Sequence, residues 1–315
     1  MTTHSEPPRG ERALIRRIAL EMADRTAAGA VPFGDDAAGL PVGSPAWVWT
    51  TDLLTAGTDF DPGRHAWRQI GRKAMAVNLS DCAAMGCAPR VALCGLVLSD
   101  DMTQDDALEI VRGVRACGDE FGCALVGGDT NSWPHPAVIA VTVAAQCEPG
   151  LRPVLRSGAR PGDVVYGSGA LGGTILGRHM TFVPRVELGL ELNRRFAPHA
   201  MIDVSDGLSV DLRHILEASG CGAELDRGLL ECAIHEDARR LSARDGLPAL
   251  HHALHDGEDF ELLVVLDAAT PAEGLTQLGL LPLGRITSGP PRLLVSGGGE
   301  ATEEIEPRGW EHFRG

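Results

Sequence analysis

The fold depends first on the stretch Lys73-Ala-Met-Ala-Val-Asn-Leu-Ser-Asp-Cys-Ala-Ala-Met-Gly86. It belongs to a segment, residues 66–85, whose small residues on one face predict a helix. The segment before it, Ala46-Trp-Val-Trp-Thr-Thr51, predicts a strand that ends at Asp52, and Val91–Leu98 after it predicts an almost wholly apolar strand. Strands and helices alternate in this way through both halves of the chain, which predicts an α/β or α+β fold.

The remaining elements follow from the same kinds of pattern. Apolar residues recur at helical spacing over residues 12–28. Thr103 predicts the start of a helix to about Phe121, because a hydroxyl cap is followed by acids in the first turn. Near residues 152–162 the composition shifts to Pro, Gly and Arg, so we expect two domains, residues 1–150 and 151–315. The other predicted elements are a short strand at 124–129 that breaks at its glycines, strands at 137–145, 163–169, 200–206 and 260–266, and helices at 185–195 and 207–219.

The composition excludes several classes of protein. The chain has 315 residues and a formal net charge of −15, with 43 acidic against 28 Lys and Arg side chains. A protein this acidic is a poor binder of nucleic-acid backbones and anionic membranes, so neither is expected as a partner. No apolar run approaches the ~20 residues of a membrane span, and the polar residues 1–11 do not form a secretory signal. We therefore expect a cytoplasmic protein.

Lysine and cysteine usage narrows the chemistry further. Lys73 is the only lysine, and because Ala74 follows it, a P-loop is excluded. The eight cysteines form no Cys-x-x-Cys pair, so a zinc ribbon or thioredoxin-like site is not expected; they are interpreted as reduced, packed residues. His251, His252 and His255 have a helical spacing that would suit a metal, but their surroundings favour an ordinary surface helix.

The most informative pattern is a set of acids at the ends of apolar segments. Each lies beside Gly, Ser or Thr, where the chain turns. A single acid of this kind is usually a cap or turn former. A turn former does not explain why every one follows an apolar strand or a small-residue helix whose end points toward a cleft, so we expect these acids to share one cleft. They are Asp35, Asp36, Asp52, Asp81, Asp129, Asp203 and Asp206.

Clustered carboxylates indicate a cation, because they repel one another without one. Hard oxygen ligands without His or Cys select Mg²⁺, which usually completes its coordination with substrate phosphates. The near absence of lysine fits phosphates that are neutralised by metal ions. Gly127-Gly128 and Gly167-Ser168-Gly169 are candidate turns at which backbone N–H groups approach anionic oxygens. The chain lacks the Gly-x-Ser-x-Gly elbow of serine hydrolases.

Taken in order, these motifs resemble those of the thiamine-monophosphate kinase family, a branch of the aminoimidazole ribonucleotide synthase-like superfamily. The resemblance extends from about Gly10 to Phe313, and the Asn-Leu-Ser-Asp and Gly-Glu-Asp-Phe-Glu forms are most similar to the thiamine-phosphate branch. The motifs are Gly34-Asp-Asp-Ala-Ala38, Thr50-Thr-Asp-Leu-Leu54, Lys73–Gly86, Gly127-Gly-Asp-Thr130, Arg156-Ser-Gly-Ala159, Ile202-Asp-Val-Ser-Asp-Gly-Leu208, Gly257-Glu-Asp-Phe-Glu261 and Gly309-Trp-Glu-His-Phe313.

The resemblance implies a two-domain α/β fold in which N-terminal strands of two subunits pair into a β-barrel, giving a homodimer. Residues 1–150 would bind ATP and Mg²⁺ and form the dimer, and residues 151–315 would be a C-terminal α/β domain. It also implies transfer of the γ-phosphoryl group of ATP to thiamine phosphate, with several Mg²⁺ ions. The acceptor phosphate, whose second pKa is about 6, is already largely dianionic at neutral pH and needs no base. It needs metals to overcome its repulsion with ATP.

The resemblance also implies a role for each matching residue. Trp310 would stack on a ring of thiamine phosphate, and Glu258 would face the thiazolium charge or the aminopyrimidine. With Asp59, these two residues would contact that substrate. The acids implied in catalysis are Asp52, Asp81, Asp129 and Asp203. The implied metal ligands are Asp36, Thr50, Thr51, Asp52, Asp81, Asp129, Asp203 and Asp206, and the implied ATP contacts are Gly128, Asp129, Arg156 and Ser205.

Three departures from the family pattern leave the acceptor open. Position 59 is Asp where the family usually has His, the segment between Gly169 and Pro184 is shorter than usual, and a glycine corner is compressed into Leu171-Gly172-Gly173. One alternative is an enzyme of the same superfamily that acts on a different phosphate or small-molecule acceptor. The other is a nucleotide-binding or assembly protein without activity, which the full set of metal-binding acids argues against.

Overall fold

The first sheet lies in the N-terminal half of the chain. The computed structural model describes residues 35–40 and 46–311; the helix predicted over residues 12–28 lies outside them. The strands of this sheet are in the order β1-β2-β5-β3-β4, with only the β3–β4 pair parallel. Two helices, α1 and α2, accompany it. The elements are β1 (Ala38–Leu40), β2 (Trp47–Thr55), α1 (Trp67–Ala84), β3 (Ala88–Ser99), α2 (Gln104–Glu120), β4 (Ala124–Trp133) and β5 (Val138–Gln146).

The second sheet lies in the C-terminal half, in the strand order β12-β11-β8-β10-β6-β9-β7. Two short 3₁₀ turns occupy the shortened segment, at Thr174–Leu176 and Arg178–Met180. The remaining elements are β6 (Val164–Gly167), α3 (Val186–Arg195), β7 (Ala200–Asp203), α4 (Leu208–Ser219), β8 (Gly222–Asp226), α5 (Arg227–Cys232), α6 (Glu236–Asp245), α7 (Ala249–His255), β9 (Leu262–Leu266), α8 (Ala272–Gln277), β10 (Leu281–Thr287), β11 (Leu293–Gly297) and β12 (Glu300–Glu304). The predicted mixed α/β class is confirmed.

Helix α1 is central to the molecule and almost wholly buried. A Cβ atom at Gly71 of α1 would lie 2.1 Å from the carbonyl oxygen of Ile110 in α2. A Cβ atom at Gly189 of α3 would lie 2.2 Å from the carbonyl oxygen of Ala83 in α1. The small residues thus let α2 and α3 approach α1 closely, and the predicted small-residue helix is confirmed.

The two sheets share their packing at strand β7. Met201 packs into the core of the first sheet, and its neighbour Ile202 packs into the core of the second. Because successive side chains of a strand point to opposite faces, β7 is buried on both sides. It also contacts α1, which brings its C-terminal end beside the last turn of that helix. The predicted domain boundary at residues 150/151 falls between the sheets and stays a prediction.

Two predicted strand ends differ from the structure. Strand β2 does not end at Asp52 but continues to Thr55, because residues 52–55 keep their pairing with β5. Strand β4 does not break at its glycines but continues to Trp133. A Cβ atom at Gly128 would lie 1.9 Å from the carbonyl oxygen of Cys94 on β3, so glycine there serves close packing of the strands.

Other local predictions have a clear outcome. The Thr103 hydroxyl accepts a hydrogen bond from the Asp106 N–H at the start of α2, which confirms that helix cap. The eight cysteines, all in described segments, are free thiols; seven are buried and Cys232 is exposed. None of the described helices is both long enough and apolar enough to cross a membrane.

Candidate active site

Three of the predicted acids converge at one point between the sheets. Asp36, Asp81 and Asp203 place carboxylate oxygens within 4.8 Å of one another. Asp36 precedes β1, Asp81 lies in the last turn of α1, and Asp203 ends β7. The contact between α1 and β7 is what joins them. For these three residues the prediction that acids from distant segments share a cleft is confirmed.

Strand β2 adds two more side chains to this carboxylate cluster. The Thr50 hydroxyl donates a hydrogen bond to the Asp81 carboxylate, and Asp52 shares a hydrogen bond with Asp81. Ser80, which was not among the predicted site residues, donates to Asp203 at 2.6 Å. Its place beside Asp81 in the Asn-Leu-Ser-Asp motif was the available sequence signal.

Burial makes the carboxyl groups of the carboxylate cluster weaker acids than usual. It raises the pKa of Asp52 to about 6 and that of Asp203 to about 7, and the charge of Asp36 adds to both. The pKa of Asp81 is raised well above its ordinary value, first by burial and then by the charges of Asp52 and Asp203. Removal from water and like charges both disfavour the ionised form, so the ionised cluster needs a compensating positive charge.

The carboxylate cluster fits a magnesium ion. Two buried oxygens, Asp36 Oδ2 and Asp52 Oδ2, have no hydrogen-bond partner among the residues that the structure describes. A buried carboxylate oxygen without a partner is costly, and a divalent cation would supply the missing interaction. The donors present, carboxylates and the Thr50 hydroxyl, are the hard oxygen ligands that Mg²⁺ prefers.

A guanidinium group lies at the edge of the carboxylate cluster. An Nη atom of Arg156 donates to Asp36 Oδ1 at 2.6 Å, and the Arg156 backbone N–H lies 3.2 Å from an Asp35 oxygen. Burial and the neighbouring charge of Asp36 raise the pKa of Asp35 to about 6. Since guanidinium groups match phosphate geometry, the predicted ATP contact of Arg156 lies where the predicted metal ligands are.

The structure does not bring Thr51 or Asp129 into the carboxylate cluster of the same chain. The Thr51 side chain points to the opposite face of β2, with its hydroxyl 2.9 Å from that of Thr142. Asp129 pairs with Gly95 at the β4 edge. Three strand spacings separate β4 from β2, roughly 14 Å. The register places Asp129, the residue after Gly128, on the same face of the sheet as Thr51. This face lies opposite the one on which Thr50 contacts α1, and we call it the open face.

The glycine corner at residues 167–169 has a structural role, which argues against its interpretation as an anion-binding turn. The Ser168 N–H donates to the carbonyl of Leu262, and its hydroxyl donates to Glu261 at 2.5 Å. A Cβ atom at Gly169 would lie 2.6 Å from the Glu261 carboxylate. Arg185 adds two hydrogen bonds to Glu261. The backbone N–H and the hydroxyl of Ser168 are therefore already used inside the protein.

A cavity of about 540 Å³ adjoins the carboxylate cluster at Asp52. The predicted substrate contacts all line it, as do three of the other predicted site residues. Trp310, 51% exposed, forms part of the wall, and its backbone N–H donates to the Asp206 carbonyl at 3.1 Å. Asp59 also lines the cavity, but its carboxylate accepts a hydrogen bond from the Thr55 N–H at 2.7 Å. The predicted site residues of this wall are Asp52, Asp59, Ser205, Asp206, Glu258 and Trp310.

The interpretation of the three histidines as an ordinary surface helix is wrong in part. Because α7 packs against α4, His252 is buried, with its ring nitrogens 3.1 Å from Asp256 and 3.3 Å from Asp245. His255 lines the cavity, and its Nδ1 lies 2.9 Å from the Ser209 hydroxyl. Sequence reasoning therefore missed His255 as a residue of the site. It also missed Lys73, which lines the same cavity; the available sequence signal was that Lys73 is the only lysine of the chain.

Comparison with known proteins identifies the family. Residues 34–147 match the family model described as AIR synthase related protein, N-terminal domain. The thiamine-monophosphate kinase of Rhodopirellula baltica is 42% identical over 216 residues, covering 69% of this chain and 67% of that protein. That of Methanospirillum hungatei is 34% identical over 274 residues, covering 84% and 90%. The solved structure of AaThiL complexed with AMPPCP and TMP matches with a TM-score of 0.83 at 27% identity, covering 96% of this chain and 97% of that one. The chain therefore belongs to the thiamine-monophosphate kinase family.

Proposed function

We propose that this protein transfers the γ-phosphoryl group of ATP to thiamine phosphate, giving thiamine diphosphate and ADP. The observation that carries the proposal is the convergence of Asp36, Asp81 and Asp203, with Asp52, beside a cavity that has Trp310 on its wall. The similarity to thiamine-monophosphate kinases favours thiamine phosphate over other acceptors. The free cysteines support a reducing compartment such as the cytoplasm.

The direct test is product formation. Purified protein with ATP, Mg²⁺ and thiamine phosphate should release ADP and thiamine diphosphate in equal amounts, measured by chromatography. Unphosphorylated thiamine serves as the control acceptor. ATP turnover without thiamine diphosphate would point to a different acceptor, and the absence of turnover with any phosphate acceptor would point to a protein without kinase activity.

Each group of site residues has a separate role in the proposed reaction. Asp36, Asp52, Asp81 and Asp203 would hold magnesium, with Thr50 as a further oxygen donor. Bound Mg²⁺ would neutralise and align the two phosphate groups. Arg156 would bind phosphate oxygens from the edge of the carboxylate cluster, and Ser205 and Asp206 would face the nucleotide and a further metal from the cavity wall. No general base is required, because the acceptor phosphate is already ionised.

Trp310 should control acceptor affinity. We expect Trp310→Ala to raise the KM for thiamine phosphate by about 30-fold, because an indole face over a desolvated cation is worth about 2 kcal/mol. The KM for ATP should change little. Steady-state kinetics on both substrates measures the difference, and Trp310→Phe, which keeps a ring, is the matched control. Equal acceptor KM values in all three proteins would remove Trp310 from the substrate site.

We infer that the protein is a homodimer built on the first sheet. The open face of this sheet exposes Trp49, Leu53 and Leu93, which are 39%, 68% and 45% exposed. Strand β4 ends the sheet, and an unpaired apolar edge is normally covered. A second copy that pairs its strands with these would close a barrel and bury this face. It would also bring Asp129 of the partner subunit toward the open face on which Thr51 lies.

Disrupting the open face should separate the subunits. Leu93→Glu places a charge in the inferred interface, so we expect a protomer-sized species where the unmodified protein shows a dimer. Size-exclusion chromatography with light scattering measures the mass. Leu108→Glu, at a residue that is 47% exposed on α2, is the control and should stay dimeric. A monomeric, active unmodified protein would refute the dimer.

Mixed dimers test whether Asp129 acts across the interface. Asp52→Asn and Asp129→Asn should each be inactive alone. If one site uses Asp52 of one chain and Asp129 of the other, random mixing restores one intact site in each mixed dimer, or about a quarter of full activity. Activity of refolded or co-expressed mixtures measures this. No recovery would place both residues in the site of a single chain.

A further inference from the structure

Lys73 occupies a position where a lysine is unexpected. It lies within α1 and is 1% exposed. Its Nζ donates to Glu258 at 2.5 Å and to the Asp59 carbonyl at 2.7 Å. Burying an ammonium group is costly unless it is paired and hydrogen-bonded, and the other buried positions of α1 around residue 73 are filled by small or apolar residues. Packing alone would be satisfied by methionine, so the charge of Lys73 requires another explanation.

The partner of Lys73 is held in a strained loop. Glu258 and Phe260 have φ angles of +63° and +50°, a left-handed conformation that side chains disfavour. The loop is pinned by hydrogen bonds from the Glu258 N–H to the Ser205 carbonyl, 2.7 Å, and from the Phe260 N–H to the Val204 carbonyl, 2.8 Å. Such strain is maintained where the surrounding structure fixes it, often at functional sites. The two hydrogen bonds fix the backbone from which the Glu258 side chain extends.

The two partners face different surroundings. The Lys73 side chain is 1% exposed, whereas the Glu258 side chain is 33% exposed and lines the cavity with Trp310. Both residues line the cavity, and the nearly buried Lys73 side chain supports the more exposed Glu258 side chain. One carboxylate oxygen of Glu258 is bonded to Lys73, which leaves the other for a ligand. Lys73 also donates to the Asp59 carbonyl, so it holds the turn that follows β2 next to Glu258.

We propose that Lys73 is a positioning residue for acceptor binding: it holds the Glu258 carboxylate and the turn at Asp59 on the cavity wall, in place to receive the cationic, amino-bearing rings of the acceptor. This inference rests on the proposed function. A purely structural ion pair is the competing explanation, and it makes a different prediction for combined variants.

A double-mutant cycle separates the two explanations. Lys73→Met, Glu258→Gln and the double variant are compared for the KM of thiamine phosphate, the KM of ATP and the melting temperature. Because truncating a buried charge partner is costly, Lys73→Met should raise the acceptor KM at least about 10-fold and leave the ATP KM within about twofold. Since Lys73 acts through Glu258, adding Lys73→Met to Glu258→Gln should change the acceptor KM little further.

Two further variants keep the result interpretable. Arg185→Met breaks the ion pair between Arg185 and Glu261, a residue of the same motif as Glu258, away from the cavity; it should lower the melting temperature without raising the acceptor KM.

Lys73→Arg keeps the charge and should restore part of the affinity, and Lys73→Gln replaces Lys73→Met in the cycle if the latter does not fold. An unchanged acceptor KM in folded Lys73→Met, or independent multiplicative effects in the double variant, would overturn the inference. If the unmodified enzyme forms no thiamine diphosphate, the proposed function fails instead.

Discussion

Asp81→Asn should lower kcat by about 10²- to 10³-fold, the loss typical of removing one preorganised electrostatic group from an active site. Asp81 accepts a hydrogen bond from Thr50, shares one with Asp52 and lies within reach of Asp203. An amide keeps the shape of the side chain but removes its charge. The remaining carboxylates would hold magnesium less firmly, and the two phosphate groups would be less well neutralised. Steady-state kinetics at saturating ATP and Mg²⁺ measures the change.

The same substitution should not weaken the metal-free fold. Burial and like charges raise the pKa of Asp81 well above its ordinary value, so its ionised form is unfavourable in the folded protein. We expect the melting temperature of Asp81→Asn without metal to equal or exceed that of the unmodified protein. Asp119→Asn, at an exposed position on α2 that pairs with Arg115, is the control and should leave kcat unchanged. Full activity in Asp81→Asn would mean that the carboxylate cluster does not hold the catalytic metal.

The sequence was sufficient to predict that certain acids meet, because strand and helix ends are local features. Asp36, Asp81 and Asp203 lie at or beside the ends of β1, α1 and β7, and the ends of such segments meet at one edge of the packed layers. The small residues of α1 were readable for the same reason: their spacing shows a face that another element can approach closely. The structure adds that α1 contacts β7, which is the contact that makes the cluster.

The order of the strands and the face to which each side chain points could not be predicted from the sequence pattern. Asp129 lies within a strand, as Asp52 does, yet β4 lies at the far edge of the sheet and Asp129 faces its open side. Successive side chains of a strand alternate between the two faces of the sheet, but this alternation does not show which face other elements cover. The family resemblance placed Thr51 with Thr50 among the metal ligands, although adjacent residues of a strand point to opposite faces.

Contacts between residues far apart in the sequence could not be predicted either. Lys73 and Glu258 are 185 residues apart in the sequence, and no spacing rule connects them. The same holds for Ser168 and Glu261, whose hydrogen bond closes a glycine corner that resembles a phosphate-binding turn when only the sequence is considered. Conformationally free glycines indicate close approach, but the group that approaches them is set by the tertiary fold.

Without metal, the stability of the protein should fall as the pH rises from about 4 to about 7. The pKa values of Asp35 and Asp52 are raised from 3.8 to about 6 and that of Asp203 to about 7, mainly by burial. The folded state therefore binds more protons than the unfolded state in this range, and the free energy of unfolding decreases with pH. The stabilising contribution is complete below pH 3.8 and is lost above pH 7. Melting temperatures in metal-chelating buffers would show the trend.

Magnesium should oppose this trend. Since the metal binds ionised carboxylates, its affinity rises with pH, and the stabilisation it gives grows with the ratio of its concentration to its dissociation constant. The increase in melting temperature on adding Mg²⁺ should therefore be larger at pH 8 than at pH 5. Asp203→Asn should reduce both the metal-free pH dependence and the magnesium effect, because the carboxylate with the higher of these pKa values is gone. A magnesium effect of equal size at both pH values, unchanged in Asp203→Asn, would mean that the ion binds elsewhere and that the buried carboxylates carry protons in the working enzyme.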